Sequence, residues 1–369
     1  MFGSKNPKIT VLVDTFNHER FIHQALLSVL TQDFPKSDME ILVVDDGSTD
    51  LTPEIVRRFG ADIRLLRKTN GGQGSAFNAG IPNARGEIVA FLDGDDWWAP
   101  NKVSRVVDYF DRHPEVGVLG HGYYQVNSLT GETTTTVPRD PRSFSFDSEE
   151  DVIFFRHLMC FFGTSRVVIR KSVLERTPPI PDAIVIEADE FMSIMSIAHS
   201  KGALLAEPLT FYRLHENNLY QFQTGDRAKL RRLYGVLNVL AAQLRLALTQ
   251  ASVAPRAIEI IVHTLETGAK KLRLQLDGGT RIETFQIERA EQKFYYAEAS
   301  IGYRLFQALV LSLTLMMKPE RFYRLRNWYA SSRFRKWRST LGDPVQAAPI
   351  KLRTESSVAF RAEDSSKVQ

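Results

Sequence analysis

Asp93, Asp95 and Asp96 follow directly on the apolar run Ile88-Val89-Ala90-Phe91-Leu92, with Gly94 inside the cluster and Trp97-Trp98 just after it. A buried strand that ends in carboxylates can present them to a hard cation. Mg²⁺ and Mn²⁺ prefer oxygen ligands, and Mg²⁺ takes its remaining ligands from a substrate's phosphates. Two earlier apolar runs end the same way: Lys8 to Val13 runs into Asp14-Thr15-Phe16-Asn17, and Glu40 to Val44 into Asp45-Asp46-Gly47-Ser48-Thr49-Asp50. Like charges gathered at one edge repel unless a cation or ligand donors offset them. A further acidic group, Glu187-Ala188-Asp189-Glu190, precedes the helix-patterned stretch Phe191 to Ala198, where acids are also favourable on helix-dipole grounds alone. Arg213 and His215, two residues apart, form a phosphate-facing pair.

The elements that must position these groups alternate. Apolar residues at 22, 25, 26, 29 and 30 give a helix after the first strand. Pro53 suits the first turn of the next helix, with Thr52 as its N-cap. A third strand spans Asp62 to Leu66, a helix Ser75 to Ile81, and the fourth strand Ile88 to Leu92. This strand–helix alternation predicts an α/β fold with a parallel sheet covered on both faces. Ligands of such sheets bind beyond the carboxyl ends of the strands, where the acidic clusters fall. Asn70-Gly71-Gly72-Gln73-Gly74 has neither G-x-G-x-x-G spacing nor a Gly-Lys-Ser/Thr P-loop; it reads as a mobile loop near a nucleotide or as a plain turn. Beyond Glu115 the pattern changes to a strand at Val116 to Gly120, a polar hairpin or loop at Thr130 to Pro141, and a turn feeding a strand at 163 to 171. Three long helices are expected at Leu230 to Leu248, Arg256 to Leu274 and Arg281 to Ala308.

The chain is long enough, at 369 residues, for one large domain or two smaller ones. Its single cysteine, Cys160, excludes an intramolecular disulfide framework and a Cys-rich zinc site. Met1 to Lys8 carries no apolar stretch, so the expected location is cytosolic. The net charge of +4 is unevenly spread: Lys318 to Arg338 holds eight basic residues against Glu320 alone, leaving 39 basic and 42 acidic residues elsewhere. Phe306 to Met317 is densely apolar yet shorter than the ~20 residues a bilayer crossing needs. With Trp328, Tyr329, Phe334 and Trp337 interleaved among arginines beyond it, the segment resembles an interfacial membrane helix. Nucleic acid is the competing polyanion; the adjoining apolar run favours the membrane, and no nucleic-acid partner is expected. The expected place is therefore peripheral, on the cytoplasmic face of an anionic membrane. Residues 339–369 read as a disordered tail.

Together these motifs resemble the inverting family 2 glycosyltransferases of the GT-A fold, over about residues 8 to 220. The resemblance is carried by Thr15-Phe16-Asn17, Val43-Val44-Asp45-Asp46-Gly47-Ser48-Thr49-Asp50, Asn78-Ala79-Gly80, Ala84-Arg85-Gly86-Glu87, Phe91-Leu92-Asp93-Gly94-Asp95-Asp96, the acids at 187 to 190, and Tyr212-Arg213-Leu214-His215. It implies a GT-A domain over 8–225 (nucleotide-sugar half 8–115, mixed-sheet acceptor half 116–225), with a helical region over 226–338 carrying the membrane segment.

It also implies roles. Asp46 accepts from the uracil N3–H, which favours UDP-sugars, while Asp14 and Asn17 lie beside the base and ribose. Asp93 sits near the ribose or a metal-bound water, and Asp95 coordinates Mn²⁺ or Mg²⁺ on the diphosphate. Arg213 faces the diphosphate, and His215 joins Asp95 as a metal-ligand candidate. The catalytic base is Asp189, with Glu190 second; here the sequence departs from the family's Glu-Asp pair, because Ala188 intervenes and the pair is reversed. A second departure is the lack of any basic residue after the glycine loop, in Gly74-Ser75-Ala76-Phe77. Absence of a Gln-x-x-Arg-Trp motif points to one sugar per encounter, delivered to a glycan or lipid-linked acceptor. Two other classes compete: a sugar-phosphate nucleotidyltransferase, which wants a basic glycine-rich loop after the first strand, and a non-catalytic membrane-associated module that binds sugar nucleotides.

Overall fold

A computed structural model describes residues 6–216, 218, 227–295 and 300–331. Its elements run β1 (Ile9–Thr15), α1 (Ile22–Leu30), β2 (Met39–Asp45), α2 (Thr52–Arg57), β3 (Arg64–Arg67), α3 (Gln73–Gly80), β4 (Ile88–Asp93), β5 (Trp97–Trp98), α4 (Lys102–Arg112), β6 (Val116–Asn127), β7 (Thr133–Thr136), β8 (Ser143–Phe144), α5 (Glu149–Arg156), β9 (Val168–Arg170), α6 (Lys171–Leu174), α7 (Ala188–Ala198) and β10 (Lys201–Leu214). Five helices follow: α8 (Arg227–Gln250), α9 (Pro255–Asp277), α10 (Arg281–Tyr295), α11 (Ile301–Met316) and α12 (Pro319–Ser331).

One sheet joins the strands in the order β3-β2-β1-β4-β9-β6-β10-β5, with β7 added on β6 and β8 on β10. The first four are parallel, as the alternation predicts, whereas β9 runs antiparallel to both β4 and β6. The sheet is thus mixed from β9 onward. Alternate residues of the apolar runs enter two different cores. Val11, Val13, Ala90 and Leu92 pack with α1 and α4, while Leu12, Val89 and Phe91 pack with α3 and α7. Burial on both faces is why these strands read as unbroken apolar runs rather than alternating ones. Leu240 and Leu244 of α8 and Leu265 of α9 belong to the second core, so these helices share the sheet's interior.

Several expectations are corrected in detail. Thr52 is not an N-cap: its backbone N–H is bonded by the Asp50 carboxylate (3.0 Å), and its hydroxyl accepts from the His18 N–H (2.8 Å). The third strand begins at Arg64 because a 3₁₀ turn occupies Gly60–Asp62. β6 runs on to Asn127 because β7 pairs with its second half, which makes the polar excursion a hairpin. The helix expected over 281–308 is two helices; Ser300 opens the second by accepting from the Tyr303 N–H (3.2 Å). Phe334, Trp337 and the tail 339–369 lie outside the described residues, as does the 225/226 boundary.

Candidate active site

Parallel register places Asp14 directly opposite Asp93 and Thr15 opposite Asp45, so three strand ends meet at one edge. Beyond them lies a cleft of about 790 Å³ lined by Asp14, Asn17, Asp46, Asp93, Asp95 and His215, among others. Asn70 to Gln73 line it too, so the glycine loop sits against the cleft. Gly72 has φ +83°, and a Cβ there would lie 2.6 Å from the Val185 carbonyl oxygen, which accepts instead from the Gln73 N–H. Only glycine allows that approach.

Asp93, Asp95 and Asp96 each offer a carboxylate oxygen, all within 4.8 Å of one another. Their turn is stapled from behind. The Arg213 N–H donates to Asp96 Oδ1 (2.8 Å), and the Arg213 guanidinium donates to the Asp95 carbonyl (2.7 Å) and to Gln24 (2.6 Å). That guanidinium lies over the Phe21 and Trp97 rings, with Trp97 stacked on Phe211 and Phe211 on Tyr124. Arg213 is therefore not part of the cleft lining. His215 Nε2 sits 2.9 Å from Asp95 Oδ2, where it orients that carboxylate, and His18 Nε2 is 3.9 Å away. Gly94 is required here, since a Cβ would lie 2.7 Å from His18 Nδ1 and from Thr15 Oγ1.

The electrostatics are those of a site short of positive charge. Burial, and then the Asp95 charge, push Asp14 well above the usual carboxylate range. Burial followed by Asp14, Asp95, Asp96 and Asp189 does the same to Asp93. Asp96 is pushed up to about 7 by burial and by Asp95. Asp95 alone of this group is held low: burial pushes it up, but the His215 hydrogen bond and the His18 and His215 charges outweigh that. Asp14 Oδ1 and Asp96 Oδ2 are buried with no hydrogen-bond partner among the described residues. Carboxylates that repel one another and leave oxygens unused fit a divalent cation, which would satisfy both deficits.

The other acidic group lies at the N-terminus of α7. Asp189 Oδ2 accepts from the Thr164 N–H (2.9 Å) and hydroxyl (3.2 Å). The Gln73 amide donates both to Thr164 Oγ1 (3.0 Å) and to Asp93 Oδ1 (3.3 Å), so a short polar chain links Asp189 to the metal-ligand candidates. Glu190 is the next residue, its carboxyl pushed up to about 7 by burial and the Asp189 charge. The residue before the helix, Glu187, has φ +62°, a left-handed conformation uncommon for a non-glycine residue at the entrance to the acidic turn.

Two expected nucleotide contacts are partly engaged elsewhere. Asp46 accepts from Lys68 (2.6 Å) and from the Gly71 (3.1 Å) and Gly72 (2.7 Å) N–H groups, holding the glycine loop. Asn17 Oδ1 accepts from the Thr49 N–H (2.8 Å), tying the β1 and β2 loops together. Asp96 belongs to the acidic cluster of the sequence and Gln73 to its glycine loop, but neither takes a role of its own there, and nothing in single-chain spacing marks Thr164.

Residues 10–176 match the family described as Glycosyl transferase family 2. The chain belongs to glycosyltransferase family 2. An uncharacterized glycosyltransferase of Nostoc sp. is 36% identical over 217 residues, a match spanning 57% of this chain and 66% of that protein. Among solved structures, TarS of Staphylococcus aureus in complex with UDP-GlcNAc superposes with a TM-score of 0.57 at 20% identity, covering 86% of this chain and 89% of that one. The mannosyltransferase PcManGT of Pyrobaculum calidifontis, in complex with GDP-Man and Mn²⁺, gives 0.52 at 21% identity, covering 86% and 83%. At these identities the likeness is one of fold: the GT-A sheet followed by helices.

Proposed function

We propose that this family 2 protein transfers a sugar from a nucleotide-sugar, a UDP-sugar, to a hydroxyl of a glycan or lipid-linked acceptor, with inversion at the anomeric carbon and one sugar per encounter. The observation that carries the reading is the meeting of Asp14, Asp46, Asp93 and Asp95 on one cleft, with Asp189 bonded to it through Thr164 and Gln73. In this reading Asp95, with Asp93 and Asp96, holds Mn²⁺ or Mg²⁺, His215 orients Asp95, and Asp14, Asn17 and Asp46 border the nucleoside. The cation, when bound, supplies Lewis-acid stabilisation of the departing diphosphate. Asp189 accepts the acceptor's hydroxyl proton as the oxygen attacks opposite the nucleotide, with Glu190 as its neighbour in the same turn. Residues 8–225 form the catalytic unit and 226–338 the helical region.

The test is thermal unfolding with UDP-, GDP- and dTDP-sugars, each with and without Mn²⁺. A ligand at a hundred times its Kd stabilises by about 2.7 kcal/mol, roughly 5–10 °C in Tm for a domain of this size. The expected result is such a shift with a UDP-sugar plus Mn²⁺. A shift with only GDP-sugars would overturn the pyrimidine N3–H assignment to Asp46. One with only dTDP-sugars would replace UDP as the donor nucleotide while leaving that assignment standing, and no shift with any would overturn nucleotide-sugar binding.

We propose further that the helical region rests on the cytoplasmic face of an anionic membrane. No helix among the described residues is long and apolar enough to cross one. Support comes from α11, where Ile301, Leu305, Leu309 and Met316 form a stripe 60–77% exposed. Exposed Arg304, Lys318, Arg321 and Arg324 accompany it. The pairing of apolar stripe and basic rim suits an interfacial helix. Full-length protein is expected to sediment with phosphatidylserine-containing vesicles at low salt, and the double variant Leu305→Glu/Leu309→Glu to remain in solution. A wild-type protein that stays in the supernatant removes the membrane proposal.

A further inference from the structure

The proposed donor brings a doubly negative diphosphate, which gains a further charge as it departs, into a cleft already lined by six carboxylates, Asp14, Glu19, Asp46, Asp50, Asp93 and Asp95. One divalent cation offsets only part of that charge. The nearby basic side chains of the sheet are committed elsewhere. Lys68 is on Asp46, Arg67 on Asp45 (2.9 Å), and Arg213 is turned behind the acidic turn. Two arginines remain on the lining, Arg20 and Arg232. Arg20 packs on Phe21, its guanidinium carbon 5.5 Å from the ring centroid.

Arg232 comes from an unexpected place, the second turn of α8, outside the stretch that matches the family. It is exposed, borders the cleft with His215 and Asn218, and makes no hydrogen bond or ion pair among the described residues. Its neighbours fix the backbone that carries it. The Arg227 guanidinium donates to the Leu276 carbonyl, Leu230 is buried, and Arg231 pairs with Asp277 (2.7 Å). An arginine held on a docked helix turn, with its planar fork free, is preorganised for two phosphate oxygens. A solvated surface charge would need no such placement at the mouth of an acidic cleft.

We infer that Arg232 binds the donor's diphosphate, so that the helical region completes the nucleotide-sugar site and supplies the basic group missing after the glycine loop. This rests on the proposed reading of the cleft as a nucleoside-diphosphate site. In that role Arg232 pairs with the phosphate oxygens in the bound donor and stays on the leaving nucleotide as the sugar departs. The same fork would also suit a phosphate on the acceptor, and the test separates the two sources.

Full-length wild-type, Arg232→Ala and Arg232→Lys proteins are titrated, in Mn²⁺, with UDP and with uridine. Arg232→Ala should weaken UDP about 10- to 100-fold, the range for a charge-assisted contact. Uridine, lacking phosphate, should bind all three proteins equally, which also reports intact folding. Arg232→Lys should recover part of the loss, since it restores the charge but not the fork. Unchanged UDP affinity in Arg232→Ala overturns the inference, and if transfer is nonetheless lost the arginine serves an acceptor phosphate instead. Wild-type protein that binds no UDP refutes the reading of the cleft, a result distinct from either.

Discussion

Asp95→Ala is expected to lower the rate of transfer by about 10³-fold or more at saturating Mn²⁺, because a Lewis acid on the leaving diphosphate is worth several kcal/mol and each 1.4 kcal/mol is a factor of ten. Asp95 is the acid of the turn most clearly held ionised, through His215 at 2.9 Å. It also touches Asp93 and Asp96 across at most 4.8 Å. Removing it takes away a ligand and also the His215–Asp95 contact, which keeps this carboxylate ionised in the folded protein. The variant measured in chelator is therefore expected to melt below wild type, and a uridine affinity equal to wild type separates lost activity from lost folding. The accompanying readout is UDP affinity with and without Mn²⁺: wild type should gain affinity with the ion, and the variant should not. Mn²⁺-dependent UDP binding that survives the substitution would dismiss Asp95 as a ligand.

Asp189→Asn should lower kcat by about 10²- to 10⁴-fold, the span usually lost with a general base, while UDP affinity changes less than twofold. Asparagine keeps the shape and can still accept from the Thr164 N–H, so the change removes basicity rather than architecture. Asp189 is preferred over Glu190 because its charge is felt at Asp14 and Asp93, whereas the groups that bear on Glu190 are Asp189 and Arg156. Glu190→Gln is accordingly expected to cost less. A larger kcat loss in Glu190→Gln than in Asp189→Asn would exchange the two assignments.

What could be read from the chain follows from how local each cause is. The runs Ile9 to Val13 and Ile88 to Leu92 are apolar on both faces because both faces are buried, and their acidic ends are fixed by the parallel register of neighbouring strands. That pattern alone puts Asp14, Asp93 and Asp95 on one edge. Other features depend on contacts made far along the chain. Arg213 is drawn behind the turn by the Trp97 and Phe21 rings, an outcome set by the pairing of β5 with β10. Thr52 loses its cap to Asp50 because His18, from another loop, takes its hydroxyl. Arg232 is indistinguishable in sequence from any other charge on an amphipathic helix; only the docking of α8 on the core brings it to the cleft.

The strand order has a mechanical consequence. β4 and β5 stand four positions apart in the sheet, yet only Gly94, Asp95 and Asp96 join them. Four spacings of about 4.8 Å would separate them by about 19 Å in a flat sheet, while four residue steps reach at most about 14 Å. The sheet must therefore roll until its eighth strand comes back toward its fourth, and the short acidic link is the seam where the roll closes. In the proposed reading, an ion seated on that seam would act as a rivet, so that filling the site and holding β4 against β5 become a single event.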